Sequence, residues 1–217
     1  LVNNFLIFSE VESPSESYSD IQNMLERLTA NVLIKGDWGA RSSQWALTIT
    51  NFFLTVSPKV LLIDLNPFQP ILTAPNFISV CIVDSAIFTN SFPNLMVDEK
   101  ILMEKVFVGK IFESDYHQSK MVIESIFEKV RKFSLNFPGT SCVINTPWNR
   151  NLISCELISY IELFATIHDI LHIDKNNSIS YIQKNGKTKE EIIYPSGQFS
   201  EGTNSLHKSS KDLSQLL

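Results

Sequence analysis

The segment Lys59-Val-Leu-Leu-Ile-Asp64 constrains this chain more than any other. Its four central residues are apolar without interruption, so a strand built from them is apolar on both faces and needs cover on both sides, as in a parallel sheet between helices. The pattern recurs along the chain. Asn31 to Lys35 is a second such run, followed by the turn Gly36, Asp37, Trp38 and Gly39. Ser42 to Val56 then has helical length, with apolar positions at Trp45, Leu47, Ile49, Phe52 and Phe53. Val106 to Gly109 precedes a helical Ser119 to Phe133, Ser141 to Asn145 precedes Leu152 to Ala165, and Ile167 to Ile173 reads as a further strand. Strands alternating with helices predict an α/β fold, a mostly parallel sheet with helices on both faces, with ligands gathering at the strand carboxyl ends.

The flanks read differently. Leu1 to Phe8 is a short apolar run resembling the last strand of something upstream, and Ser9 to Ser17 is polar, acidic and linker-like. A fragment or shortened protein is therefore expected. Ile21, Met24, Leu25 and Leu28 recur at helical spacing, predicting a short helix capped by Ser19 and ending by Ala30. The expected organisation is an upstream β segment and linker over 1–17, a core domain over 18–175, and a lid-like region with tail over 176–217. Within the last, Ser178 to Gln183 and Glu190 to Tyr194 are short strand candidates on either side of Lys184 to Lys187. Asp84 to Glu104 has no sustained period and reads as a long excursion between strands.

Charge and cysteine usage narrow the function classes. With 18 Lys and Arg against 23 Asp and Glu, a formal net charge of -5, the surface as a whole cannot act as a cationic sleeve, so contact with nucleic acid must be local or indirect. Cys81, Cys142 and Cys155 lie in apolar runs, form no Cys-x-x-Cys pair and read as core residues of a reducing compartment. No apolar run is long enough for a membrane span, and Leu1 to Phe8 lacks the basic flank of a signal peptide, so a soluble intracellular chain without a membrane partner is expected.

The turn after the first strand is the candidate site for chemistry. A phosphate loop follows G-x-x-x-x-G-K-[ST] between a strand and a helix, with backbone N–H groups cradling phosphates and the lysine on the terminal ones. Gly36, Asp37, Trp38, Gly39, Ala40, Arg41, Ser42 and Ser43 keep the opening glycine, the spacing and the closing hydroxyl, but Arg41 stands at the second glycine and Ser42 at the lysine. A side chain at the second glycine intrudes where the backbone must approach phosphate, and a serine cannot neutralise transition-state charge. An ordinary βα turn is the alternative reading. Asp64, at the end of its strand, is a candidate metal-binding or base-like carboxylate, or a turn former. His168 and His172 are four apart in a β-like run with no third ligand nearby, so no metal site is assigned to them. No catalytic set of nucleophile, base and orienting acid can be assembled.

The stretch Ile63 to Ser79, reading I-D-L-N-P-F-Q-P-I-L-T-A-P-N-F-I-S, resembles the D-L-D-P-G-Q-P…P-G-x-I-S signature of the polynucleotide 5′-hydroxyl kinase family. Met24-Leu-Glu, Phe107-Val-Gly109 and Cys142-Val-Ile-Asn-Thr-Pro-Trp148, the last similar to the family's I-N-T-x-G-W, extend the resemblance from about Tyr18 to the C-terminus. The wording is most similar to the fungal Clp-type subunit of the pre-mRNA cleavage and polyadenylation factor. The resemblance implies a P-loop NTPase-like fold, a site at Gly36 to Ser43 and Asp64, other cleavage-factor subunits as partners, the nucleus as location, and ATP with Mg as the cofactors of that site, which without the lysine is expected to be empty or weakly occupied. It also implies an aromatic against RNA at Trp148, which the loss of the neighbouring glycine turns toward packing. An arginine-bearing lid is implied near the end of the domain, where this chain has Lys208 and Lys211. Asn66 replaces an expected aspartate, and Phe68 and Asn76 replace two glycines. These departures, with the lost lysine, lead to the expectation of a non-catalytic scaffold. An active RNA 5′-hydroxyl kinase using Lys35, Arg41 or a tail lysine is the alternative, and an unrelated NTPase-like domain the third reading.

Overall fold

The computed structural model describes residues 23–28, 30–87, 102–136, 138–176, 178–183 and 189–192, the last four by their backbone. The expectations for Leu1 to Ser17, for the Ser19 cap, for Lys184 to Lys187 and for the tail with Lys208, Lys211 and Leu217 lie outside the described residues, as do residues 88–101 of the excursion.

After α1, of which residues 23–27 are described, the chain runs β1 (Asn31–Gly36), α2 (Ser42–Val56), β2 (Val60–Asp64), β3 (Phe77–Val83) and β4 (Leu102–Phe107). It continues with α3 (Ile111–Ser114), α4 (Tyr116–Asn136), β5 (Ser141–Asn145), α5 (Leu152–Phe164), β6 (Asp169–Ile173), β7 (Ile179–Gln183) and β8 (Lys189–Ile192). The strands form one sheet in the order β4-β3-β2-β5-β1-β6-β7-β8. Its centre, β2-β5-β1-β6, is parallel throughout, and the pairs outside it are antiparallel. The α/β class with a parallel core is thus the observed one.

The antiparallel flank β3-β4 was not separately legible. The connection from Leu65 to Asn76 contains no helix, so the chain folds straight back beside β2 instead of crossing over. Val106 and Phe107 end β4 rather than beginning a strand, with Val108 and Gly109 in the following turn.

Alternation along the strands builds two cores. Val32, Ile34, Val60, Leu62, Val143, Leu171 and Ile173 meet Met24 and Leu25 of α1 and Ala46, Ile49 and Phe53 of α2 on one face. Leu33, Leu61, Ile63, Ile144 and Ile170 meet Ile123, Ile126 and Val130 of α4 and Leu157 and Ile161 of α5 on the other. Fully burying each such side chain contributes roughly 1.5–3 kcal/mol before conformational entropy is counted. The two faces explain why β2 had to be apolar at consecutive positions: its whole length is buried. Among the described residues no helix is long and apolar enough to cross a membrane. Of the three cysteines, Cys81 is buried and Cys142 half-buried, but Cys155 is exposed, because it falls on the outer face of α5; reading it as core is corrected.

Candidate functional site

β1 lies between β5 and β6, and the chain leaves β1 toward β2 on one side and reaches β6 on the other. The carboxyl ends of β1 and β5 therefore flank the point where the sheet order reverses, the position at which open α/β sheets gather ligands. The turn Gly36 to Ser43 stands there. Asp37 donates its N–H to the Ile173 carbonyl at 3.0 Å, Ala40 donates to the Asp37 carbonyl at 3.0 Å, and Gly39 sits at φ +82°, a left-handed turn that glycine adopts without steric cost. A Cβ on Gly36 would lie 2.7 Å from the Ser42 Cβ, so the first helical turn closes directly over the end of β1. Helix α2 begins with Arg41 at its N-cap and no side-chain cap.

Ser42 and Ser43 are buried while Trp38 and Arg41 are exposed. The Ser42 hydroxyl accepts from the Trp148 indole N–H at 3.2 Å. The Ser43 hydroxyl donates to the Gln69 carbonyl at 2.6 Å and accepts from the Asn145 amide at 3.1 Å. Asn66 approaches the same oxygen at 3.5 Å. Asp64 is fully buried: one carboxylate oxygen accepts from the Ile71 N–H at 2.6 Å, the other from the Asn145 amide at 2.9 Å and the Asn66 N–H at 3.2 Å. Burial pushes its carboxyl from the ordinary 3.8 up to about 6, against the opposing pull of the Ile71, Asn145 and Asn66 hydrogen bonds. The side-chain Oδ1 of Asn145 is the one member of this network without a partner.

Above the polar network lies an aromatic layer. Trp38 and Trp148 meet edge to face at 4.9 Å between ring centroids, and Phe68 stacks on Trp148 at 6.1 Å with an interplanar angle of 12°. The Arg150 guanidinium lies 4.2 Å over Trp38 and 5.9 Å from Phe68, and pairs with Glu113 at 2.6 Å. Trp148 is thus a packing residue in this geometry.

Sequence reasoning missed the contact of Asp37 with His172, whose Nε2 lies 3.2 Å from the Asp37 carboxylate. The pairing of β1 with β6, which sets Lys35 beside His172 and Gly36 beside Ile173, creates it, and no local signal announces which strands are neighbours. It also missed Asn145 as the hub between Ser43 and Asp64; the signal was a polar residue closing an apolar strand. Lys35, weighed as a stand-in for the lost lysine, is ion-paired with Glu162 of α5 and so directed at the opposite helix layer.

Mg-ATP makes demands that can be compared with this donor set. A lysine must reach the terminal phosphates and a hydroxyl and a carboxylate must be available to the cation. Ser42 cannot supply the first, the Ser43 hydroxyl is bound to Gln69 and Asn145, and both Asp64 oxygens accept from protein donors. Among the described residues no three His, Cys, Asp or Glu side chains are grouped to hold a metal. The residues as arranged do not fit Mg-ATP.

The profile of the mRNA cleavage and polyadenylation factor CLP1 P-loop family matches residues 42–215. No curated protein matches the chain. Among solved structures, the wild-type Clp1p–Pcf11p (454–563) complex is similar with a TM-score of 0.50 and 19% identity, over 71% of this chain and 40% of that chain. A second structure, described as an extended interface between Pcf11p and Clp1p and the structural basis for ATP loss in a glycine-to-arginine point mutant, matches at 21% identity with a TM-score of 0.44, over 71% and 41%. The chain therefore spans about two fifths of the length of the solved chains it resembles.

Proposed function

Since the chain belongs to the mRNA cleavage and polyadenylation factor CLP1 P-loop family, we propose that it serves pre-mRNA 3′-end cleavage and polyadenylation in the nucleus as a scaffold that carries out no phosphoryl transfer. The observation that carries the non-catalytic reading is the state of the loop. Its lysine position is Ser42, held by Trp148, and the hydroxyl and carboxylate that could serve a cation are spent on internal hydrogen bonds. Phosphoryl transfer depends almost wholly on positioning and charge stabilisation, so a site lacking the lysine and a free metal-binding set has lost its main catalytic terms. Gly36 to Ser43 and Asp64 are on this reading a retained framework, not a working site.

The partner class follows from kinship: the similar solved structure is a complex with Pcf11p, and a counterpart of that subunit is the partner proposed here. RNA contact is local or indirect, as the net charge of -5 requires. Two assays on the purified chain test the reading. Labelled ATP with 5′-hydroxyl oligoribonucleotides of several lengths, in Mg and in Mn, is expected to give no labelled RNA. Titration with the counterpart of the Pcf11p 454–563 segment is expected to give a saturable complex. Transfer of label would replace the scaffold by an RNA 5′-hydroxyl kinase, and absence of a complex would remove the partner assignment.

A further inference from the structure

The misfit with Mg-ATP has a structural counterpart in what stands at the same place. Trp38 comes from the turn after β1, Phe68 from the loop after β2 and Trp148 from the loop after β5, and Arg150 adds α3 through Glu113. One aromatic cluster thus touches every loop that converges on the switch point from the β2, β5 and β1 side. Beneath it, Ser43, Asn145 and Asp64 join the start of α2 to the ends of β5 and β2. A nucleotide in such a fold bridges these same loops through its phosphates and cation.

We infer that this end of the sheet is closed by the chain's own side chains: Trp38, Phe68 and Trp148, with Arg150, form a cap that links the loops in place of a nucleotide and bars its entry. Trp148 is the keystone, since its ring meets both other aromatics while its indole N–H is bonded to Ser42, the residue at the lysine position. The Trp148 Cδ1 also lies 3.5 Å from where a Cβ on Gly36 would sit, so the ring is against the loop backbone itself. Aromatic pairs of this kind stabilise beyond their buried area, and a guanidinium over a ring face adds to that. Exclusion of nucleotide therefore has two causes, the missing lysine and the cap. The inference deepens the scaffold reading but separates from it in test, because nucleotide binding and thermal stability are read without RNA or any partner subunit.

Four proteins decide it: the native chain, R41G/S42K, which restores the phosphate-loop glycine and lysine, W148A, and R41G/S42K/W148A. Each is titrated calorimetrically with Mg-ATP and melted with and without the nucleotide. The expected results are no binding up to millimolar ATP for the native chain and R41G/S42K, at least tenfold tighter binding in the triple variant, and a W148A melting temperature several degrees below native. If W148A does not fold, W148L takes its place both alone and in the triple variant, and the same melting and binding comparisons are made with it. Micromolar binding by the native chain or by R41G/S42K overturns the inference, as does a W148A variant that melts like the native chain or a folded triple variant that binds no better than R41G/S42K.

Discussion

The two strand-to-helix turns that meet at the switch point are built on opposite plans. The turn from β5 into α5 starts its helix conventionally: Asn151 accepts from the Ser154 N–H at 2.9 Å and Ser154 accepts from the Asn151 N–H at 3.0 Å, a reciprocal capping box. The turn from β1 into α2 has Arg41 at the same position and no side-chain cap. Helix starts need partners for their first N–H groups, and a phosphate loop leaves them to the ligand. The first turn thus keeps the backbone plan of an anion cradle although its side chains have departed from it. Stabilisation has moved to the layer beneath, where Ser43, Asn145 and Asp64 couple the two turns.

Loss of that coupling is expected to cost the fold most. Asp64→Ala would leave the Ile71 and Asn66 N–H groups and the Asn145 amide without their buried acceptor, at roughly 1–3 kcal/mol each. Denaturant unfolding is expected to show a loss on the order of 3 kcal/mol or more, and a loss below about 1 kcal/mol would mean the two turns are held independently. The same residue sets a pH dependence. Its native carboxyl, raised from 3.8 to about 6, holds a proton more tightly than the unfolded chain does. The stabilisation this gives is full below pH 3.8 and is lost as pH rises toward 6. The change amounts to roughly 3 kcal/mol across that window. In Asp64→Asn this part of the slope is expected to vanish, and the unpartnered side-chain Oδ1 of Asn145 gives the new amide an acceptor once the Asn145 side chain turns over.

Gly36→Ala tests the first turn alone. Its added methyl would meet Ser42 Cβ at 2.7 Å and Oγ at 2.8 Å, contacts that must be relieved by moving the start of α2. A loss of about 2 kcal/mol is expected, in the range for overpacking a fixed site. Adding Ser42→Gly removes the clashing atoms and should recover most of it. Equal losses in both backgrounds would show that the strain lies in the backbone of β1 and that the helix does not close over Gly36.

Much of this site was legible locally. The alternation of runs located β1, α2, β2, β5 and α5 closely, because continuous apolar strands and helical periods are properties of short windows. The glycine replaced by Asn76 is explained by geometry: Asn76 sits at φ 69°, a left-handed conformation that asparagine tolerates, and its carbonyl accepts from Val108 and Gly109. What could not be read was adjacency. The sequence puts Asp37 and His172 135 residues apart, and Ser43 and Asn145 102 apart; only the order β2-β5-β1-β6 brings each pair together. Asp64 showed the other limit. A carboxylate at a strand end is equally a cation ligand or a loop clamp, and the choice rests on the Ile71 N–H seven residues on, whose direction is a tertiary fact.

The helix caps themselves contribute less than the buried network. Asn151→Ala removes the side-chain acceptor of the Ser154 N–H and one half of the capping box, which typically costs about 1 kcal/mol. Arg41→Asn, by contrast, offers α2 the cap it lacks, and a gain of about 0.5–1 kcal/mol is expected if the helix start has N–H groups an asparagine side chain can reach. Chemical denaturation of the two variants side by side distinguishes the cases. A loss at Asn151 with a gain at Arg41 means that the first turn still carries the unmet helix start of a phosphate loop. A loss at Asn151 with no gain at Arg41 means that the remodelled loop has already found other partners for those groups, and that its departure from an anion cradle extends from the side chains to the backbone.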